Sequence, residues 1–159
     1  MSFNLINVGI ADIEIARAPD ILRTILGSCV GICLYDNKNR IGGLAHIMLP
    51  RIHDRDSNIK KFADTAIPYL LNEMVKAGAG RKDIKAKIIG GATMFKIATK
   101  NLASNIGKNN IEAVKQILND LNIAITAQDL GGDLGRTIDF YLETGKIKIK
   151  TSASHVKII

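Results

Sequence analysis

Tryptophan is absent from this chain of 159 residues, aromatic residues make up only 4%, and there are two cysteines, three histidines and three prolines. With so few stacking residues, and with lysines spread along the chain rather than gathered in a motif, nucleic acid is not an expected partner. A net charge of +7 and a pI near 9.5 would also suit an anionic membrane surface or an acidic protein. Within one extended strand Cys29 and Cys33 would lie about 13 Å apart, too far for a disulfide. Unbridged cysteines, no basic-then-apolar leader and no apolar run near about 18 residues point to the cytoplasm and to no membrane insertion. The histidines lack Cys, Asp or Glu at ligand spacing, so neither a metal nor another cofactor is expected. With 47% hydrophobic residues and no internal repeat, residues 1–159 suit a single domain.

What is present centres on residues 26–50, LGSCVGICLYDNKNRIGGLAHIMLP. Val30 to Tyr35 is apolar and β-branched, Asp36-Asn37-Lys38-Asn39 is a cluster of turn formers, and Arg40 to Leu49 is again apolar. A hairpin centred between Asn37 and Lys38 pairs Tyr35 with Arg40 and Cys29 with His46. Directly opposed side chains share a face, with Cβ atoms about 4.5 to 5.5 Å apart, close enough for a thiol to bond an imidazole. A slip of one residue would separate them. Gly27 and Gly42-Gly43 suit a bulge or a close approach by another backbone, as with a substrate lying along the hairpin. On spacing alone a blander reading leads, in which Cys29 is a small core residue and His46 a satisfied interior histidine. Cys33 reads as packing.

Elsewhere, Ile10, Ile13 and Ile15 predict an N-terminal strand, and a second strand starts near Ile21 and carries Thr24. Lys61 to Ala77 has helical spacing, with Asp64 as its cap and Pro68 in the first turn. Lys85 to Ile89 is a strand stopped by Gly90-Gly91, and the Gly90 to Phe95 stretch reads either as a tight loop near a site or as a structural turn. A second helix runs from a cap at Asn110 to Asn122, and Ile123 to Ala127 is a strand. Ile138, Phe140 and Leu142, then Lys146 to Lys150, form a second hairpin with one buried and one basic face. His53 and His155 read as solvated loop residues. The predicted class is α+β, with mixed sheets built from hairpins and two or three helices on one side.

The run LGSCVGICLYD followed by GGLAHIMLP resembles the signature of the chemoreceptor glutamine deamidase family, CheD. So do Ala63-Asp64-Thr65-Ala66, Gly90-Gly91-Ala92-Thr93-Met94-Phe95, Asn105-Ile106-Gly107, Asp129-Leu130-Gly131-Gly132 with Gly135-Arg136, and Glu143-Thr144-Gly145-Lys146. One departure is Asn109, where an arginine is expected. The resemblance implies hydrolysis of glutamine side chains on methyl-accepting chemotaxis receptors, with Cys29 as nucleophile, His46 as base and Thr24 as supporting threonine. Gly27, Ser28 and Gly43 are the expected substrate-contacting positions, and the backbone N–H groups beside Ser28 and Cys29 are candidates for an oxyanion hole. In this scheme an adjacent imidazolium lowers the thiol's pKa. The receptor segment would be an acid-rich helical coiled coil that a basic face could steer. Association with the chemotaxis phosphatase CheC is also implied, and a regulatory module acting mainly through CheC is the alternative function. A cysteine protease or a transglutaminase could use the same dyad, and the product would tell them apart. A monomer is expected, since no surplus apolar helix face is evident.

Overall fold

In the computed structural model, residues 2–53, 58–94 and 105–159 are described. The central hairpin is formed by β4 (Val30–Asp36) and β5 (Ile41–Ile47). Its turn is set by Asp36, whose carboxylate accepts the backbone N–H groups of Lys38 and Asn39 at 2.9 and 3.2 Å and the Asn39 side-chain amide at 2.7 Å. Residues 37–40 form the loop, and Arg40 closes it with a φ of 51°. The hairpin therefore pairs Asp36 with Ile41 and Gly31 with His46, two residues away from the predicted register. A shift of two preserves the parity of a strand, so Cys29 and His46 keep a common face.

Around this hairpin the described residues build two five-stranded sheets. One runs in the order β2 (Ile13–Arg17), β5, β4, β6 (Ile84–Gly90), β7 (Ile125–Leu130). The other runs β1 (Leu5–Asn7), β3 (Ile21–Leu26), β8 (Arg136–Tyr141), β9 (Ile147–Thr151), β10 (Val156–Ile158). The β1–β3 and β6–β7 pairs are parallel and the rest antiparallel, so both sheets are mixed, in keeping with the α+β prediction. Among the described residues, two α-helices, α1 (Ala63–Lys76) and α2 (Ile106–Asp120), pack on the hairpin sheet, where Ile32, Ala45, Leu70, Met74 and Val114 share one core. Its other face, with Cys33, Leu44 and Ile89, meets Leu22, Leu26, Ile138 and Phe140 of the second sheet in another. The layers are thus sheet, sheet, helices.

The two glycines of β5 allow this stacking. A Cβ at Gly42 would sit 2.3 Å from Leu142 of the outer sheet, and one at Gly43 would sit 2.5 Å from Leu70 of α1. Both face packed layers, and Gly43 is not open to a substrate. Other boundaries also differ from the reading of the sequence. The N-terminal segment makes two strands rather than one, and β10, exposed throughout, carries no burial alternation to betray it. No side chain caps α1; it starts at Ala63, which puts Pro68 in its second turn, and Asp64 accepts the Ile52 N–H at 3.0 Å instead. α2 starts four residues before Asn110, because Gly107 lets the helix begin directly against the carbonyls of Gly91 and Ala92. The cap expected at Asn110 is an interior, buried residue of α2.

Candidate active site

Thr24 lies on β3 between Leu22 and Leu26, all three buried and turned toward the hairpin sheet. His46, on β5, is turned the opposite way from Ala45 and Ile47, into the same interlayer space. The stacking of the sheets brings the two together, with Thr24 Oγ1 2.8 Å from His46 Nδ1. The hydroxyl also lies 2.7 Å from the Val8 carbonyl, to which it donates, and Val8 is held by its own N–H to the Arg23 carbonyl at 2.7 Å. A threonine hydroxyl has one proton, and a carbonyl can only accept. With that proton given to Val8, the contact with His46 requires Nδ1 to carry a hydrogen and leaves Nε2 with its lone pair. Nε2 is buried and has no hydrogen-bond partner among the described residues.

Cys29 is half-buried at the end of a short loop between β3 and β4. Because Gly31 opposes His46, Cys29 takes the diagonal place, where Cβ atoms stand about 7 Å apart, rather than the direct one. The thiol–imidazole hydrogen bond expected from direct opposition is therefore not formed, although both residues face the same side. Burial holds His46 down to a pKa of about 4. Burial also pushes the Cys29 thiol up, against a smaller opposing pull from its own backbone N–H. The free pair is thus a neutral thiol beside a neutral imidazole, not the imidazolium-activated thiolate expected. Cys33 is fully buried in the interlayer core, and its thiol is also pushed up by burial.

The loop that carries Cys29 is held by its carbonyls. Gly91 N–H reaches the Cys29 carbonyl at 2.8 Å and Ala92 N–H reaches that of Gly27 at 3.0 Å. Gly90 has a φ of +114°, and a Cβ there would meet the Cys29 carbonyl at 2.3 Å. Residues 91–94, after the end of β6 at Gly90, therefore form a loop against the segment that carries Cys29; Phe95 lies outside the described residues. Behind them, Gly131 N–H bonds the Gly90 carbonyl at 2.9 Å, Thr93 N–H bonds that of Gly132 at 2.8 Å, and Arg136 bonds Asp129 and the Gly131 carbonyl at 3.2 and 2.9 Å. Met94 packs over Gly27 at 3.4 Å from the position a Cβ would take. The Ser28 carbonyl accepts from Asn110 at 3.2 Å. Asn109 is exposed near Pro50 and Arg51. A cleft beside His46 is walled by Val8, Ile10, Arg23 and Ile25. Among the described residues, no three His, Cys, Asp or Glu side chains gather as a metal site, and no helix is long and apolar enough to cross a membrane.

The family model described as "CheD chemotactic sensory transduction" matches residues 48–151. The chain is 47% identical over 163 aligned positions, covering 100% of both chains, to a protein of Caldanaerobacter subterraneus subsp. tengcongensis named probable chemoreceptor glutamine deamidase CheD. The chain belongs to the CheD family. A Clostridium botulinum CheD of the same printed name is 48% identical over 95% of each chain. The family model begins after His46, and the alignment with the Caldanaerobacter relative also spans the stretch that holds Cys29 and His46. Among solved structures, a Bacillus licheniformis hypothetical protein, YfiH, has a TM-score of 0.44 at 14% identity, covering 69% of this CheD chain and 46% of its own.

Proposed function

We propose that this chain is a protein-glutamine deamidase of chemotaxis, hydrolysing the side-chain amide of particular glutamines on methyl-accepting receptors to glutamate. Supporting this reading, beyond family membership, is the hydrogen-bond chain from Val8 through Thr24 to His46, which leaves Nε2 a bare base on the face shared with Cys29.

The chemistry follows from that arrangement. With the glutamine in place, Nε2 takes the Cys29 proton and the sulfur attacks the carboxamide carbon, forming a C–S bond and placing negative charge on the amide oxygen. As the tetrahedral species collapses, the C–N bond breaks and the imidazolium protonates the departing ammonia. Water, deprotonated by Nε2, then attacks the thioester, the C–S bond breaks, and the thiol recovers its proton. Thr24 keeps Nδ1 protonated throughout, the task of the third member in other triads.

Residues 1–159 act as one domain in the cytoplasm, as a monomer, with the phosphatase CheC as a further partner; sedimentation with and without CheC tests the last two points. The deamidase is tested with a folded receptor cytoplasmic fragment, reading ammonia release and Gln-to-Glu conversion by peptide mass spectrometry. Wild type and Cys33→Ala should convert the target, and Cys29→Ala and His46→Ala should not. No conversion by the wild type, or full conversion by Cys29→Ala, would overturn the reading.

A further inference from the structure

Asn110 is fully buried in α2, yet its Oδ1 has no hydrogen-bond partner among the described residues. Leaving such an acceptor unpaired is costly, and an apolar residue of similar size would avoid it. What the residue supplies is its amide group. Nδ2 donates to the Ser28 carbonyl at 3.2 Å and to the Met48 carbonyl at 2.9 Å. These two carbonyls lie just beyond the last β4–β5 pair, Val30 with Ile47, where the ladder no longer satisfies them. One side chain thus ties the residue before Cys29 to the strand end two residues after His46.

The Ser28 carbonyl shares a peptide unit with the Cys29 N–H. That peptide is trans, so the two groups point in opposite directions. Holding the carbonyl toward α2 aims the N–H away from α2. The neighbouring carbonyls of Gly27 and Cys29 are fixed by Ala92 and Gly91, so the Ser28–Cys29 peptide is the one held by a side chain. The Cys29 N–H belongs to the same residue as the attacking sulfur, so the oxyanion of a tetrahedral adduct on that sulfur would develop close to it.

We infer that Asn110 is a positioning residue which, through the Ser28 carbonyl, orients the Cys29 N–H as an oxyanion-stabilising donor; this rests on the deamidase reading above. Asn110 touches neither thiol nor substrate in this role. Its loss should weaken the step that forms an oxyanion and spare reactions of Cys29 that form none.

Two reactions of the same thiol separate these cases. Deamidation passes through a tetrahedral oxyanion, whereas alkylation by iodoacetamide displaces iodide at a saturated carbon and creates none. Asn110→Leu should lower kcat for the receptor fragment about 10- to 100-fold, with KM and the iodoacetamide rate within about twofold of wild type. If Asn110→Leu fails to fold, Asn110→Ser is read instead; its hydroxyl can serve one carbonyl, and it should show a smaller loss of kcat with the same unchanged alkylation. Equal losses in turnover and alkylation would mean that Asn110 only holds the site together, and no loss in either would mean that it orients nothing; both overturn the inference. A wild type that alkylates but releases no ammonia overturns the deamidase reading itself, and the inference with it.

Discussion

At the scale of single residues, the resting state of the Cys29–His46 pair is decided by burial. Burial lowers His46 to about 4 and raises Cys29, so proton transfer belongs to the reaction rather than to the free protein. A preformed ion pair would alkylate at a constant rate from about pH 4 to 8. This thiol should instead react with iodoacetamide about tenfold faster for each pH unit between pH 6 and 9, with no neutral plateau; a plateau would contradict the neutral pair. The same shift affects stability. His46 ordinarily titrates near 6.5 and in the fold near 4, so between these values the unfolded chain binds more protons. The stabilisation is complete above pH 6.5 and is lost as the pH falls toward 4. From pH 7 to 5, wild type should lose about 2 kcal/mol more than His46→Gln in urea unfolding. Thr24 is testable by shape: Thr24→Val keeps the volume but removes the acceptor for Nδ1–H, and should lower kcat about 10- to 100-fold, whereas Thr24→Ser should keep most of it. That Cys29 and His46 share a strand face was legible in the sequence, while their roles came only with the family resemblance. Their protonation was not, because it depends on Val8 and on the layer above, which no local spacing encodes.

At the scale of elements, the site is a loop fixed from behind. A turn centred on Asn37-Lys38 falls two residues out of register because Arg40 enters the loop by taking a positive φ while Asp36 gathers the loop amides. A shift of two keeps the parity of the strand, so Cys29 and His46 share a face in either register. Asn110 reads as a cap because asparagine favours helix caps; its place among Gly107, Ala113 and Val114 on one stripe of α2 is the signal that it is buried instead. The loop at Gly90 offers the test at this scale. Gly90→Ala would put a Cβ 2.3 Å from the Cys29 carbonyl at a φ of +114°. Strain of this kind costs about 1 to 3 kcal/mol, and relief must come from moving the backbone of Cys29. Deamidation should therefore fall further than the loss of folded protein explains. Gly9→Ala meets nothing within 4 Å and should leave the urea midpoint nearly unchanged.

At the scale of the molecule, the helices cover one sheet, and among the described residues no helix covers the outer face of the other. Across that face, Ile25 pairs with Thr137, Thr137 with Lys150, and Lys150 with Val156, so the four side chains form one row. Ile25 begins the row beside the His46 cleft, and it is 70% exposed. The next row holds Arg23, Asp139 and Lys148, and the Asp139 carboxylate is already bonded by Arg23 at 2.6 and 2.9 Å, leaving Lys148 directed at solvent. Exposed apolar and cationic side chains thus stand together on this face from the cleft outward, the kind of surface an acidic helix would fit. Exposed charges of this kind act on encounter more than on chemistry, and salt screens them within about 8 Å at physiological ionic strength. Reversing Lys148 and Lys150 together to glutamate should raise KM for the receptor fragment several-fold at low salt, with kcat unchanged. The difference should shrink toward nothing near 0.5 M salt. If KM is indifferent to both the reversal and the salt, this face takes no part in receptor capture, and the cleft walls of Val8, Ile10 and Ile25 must select the substrate by shape.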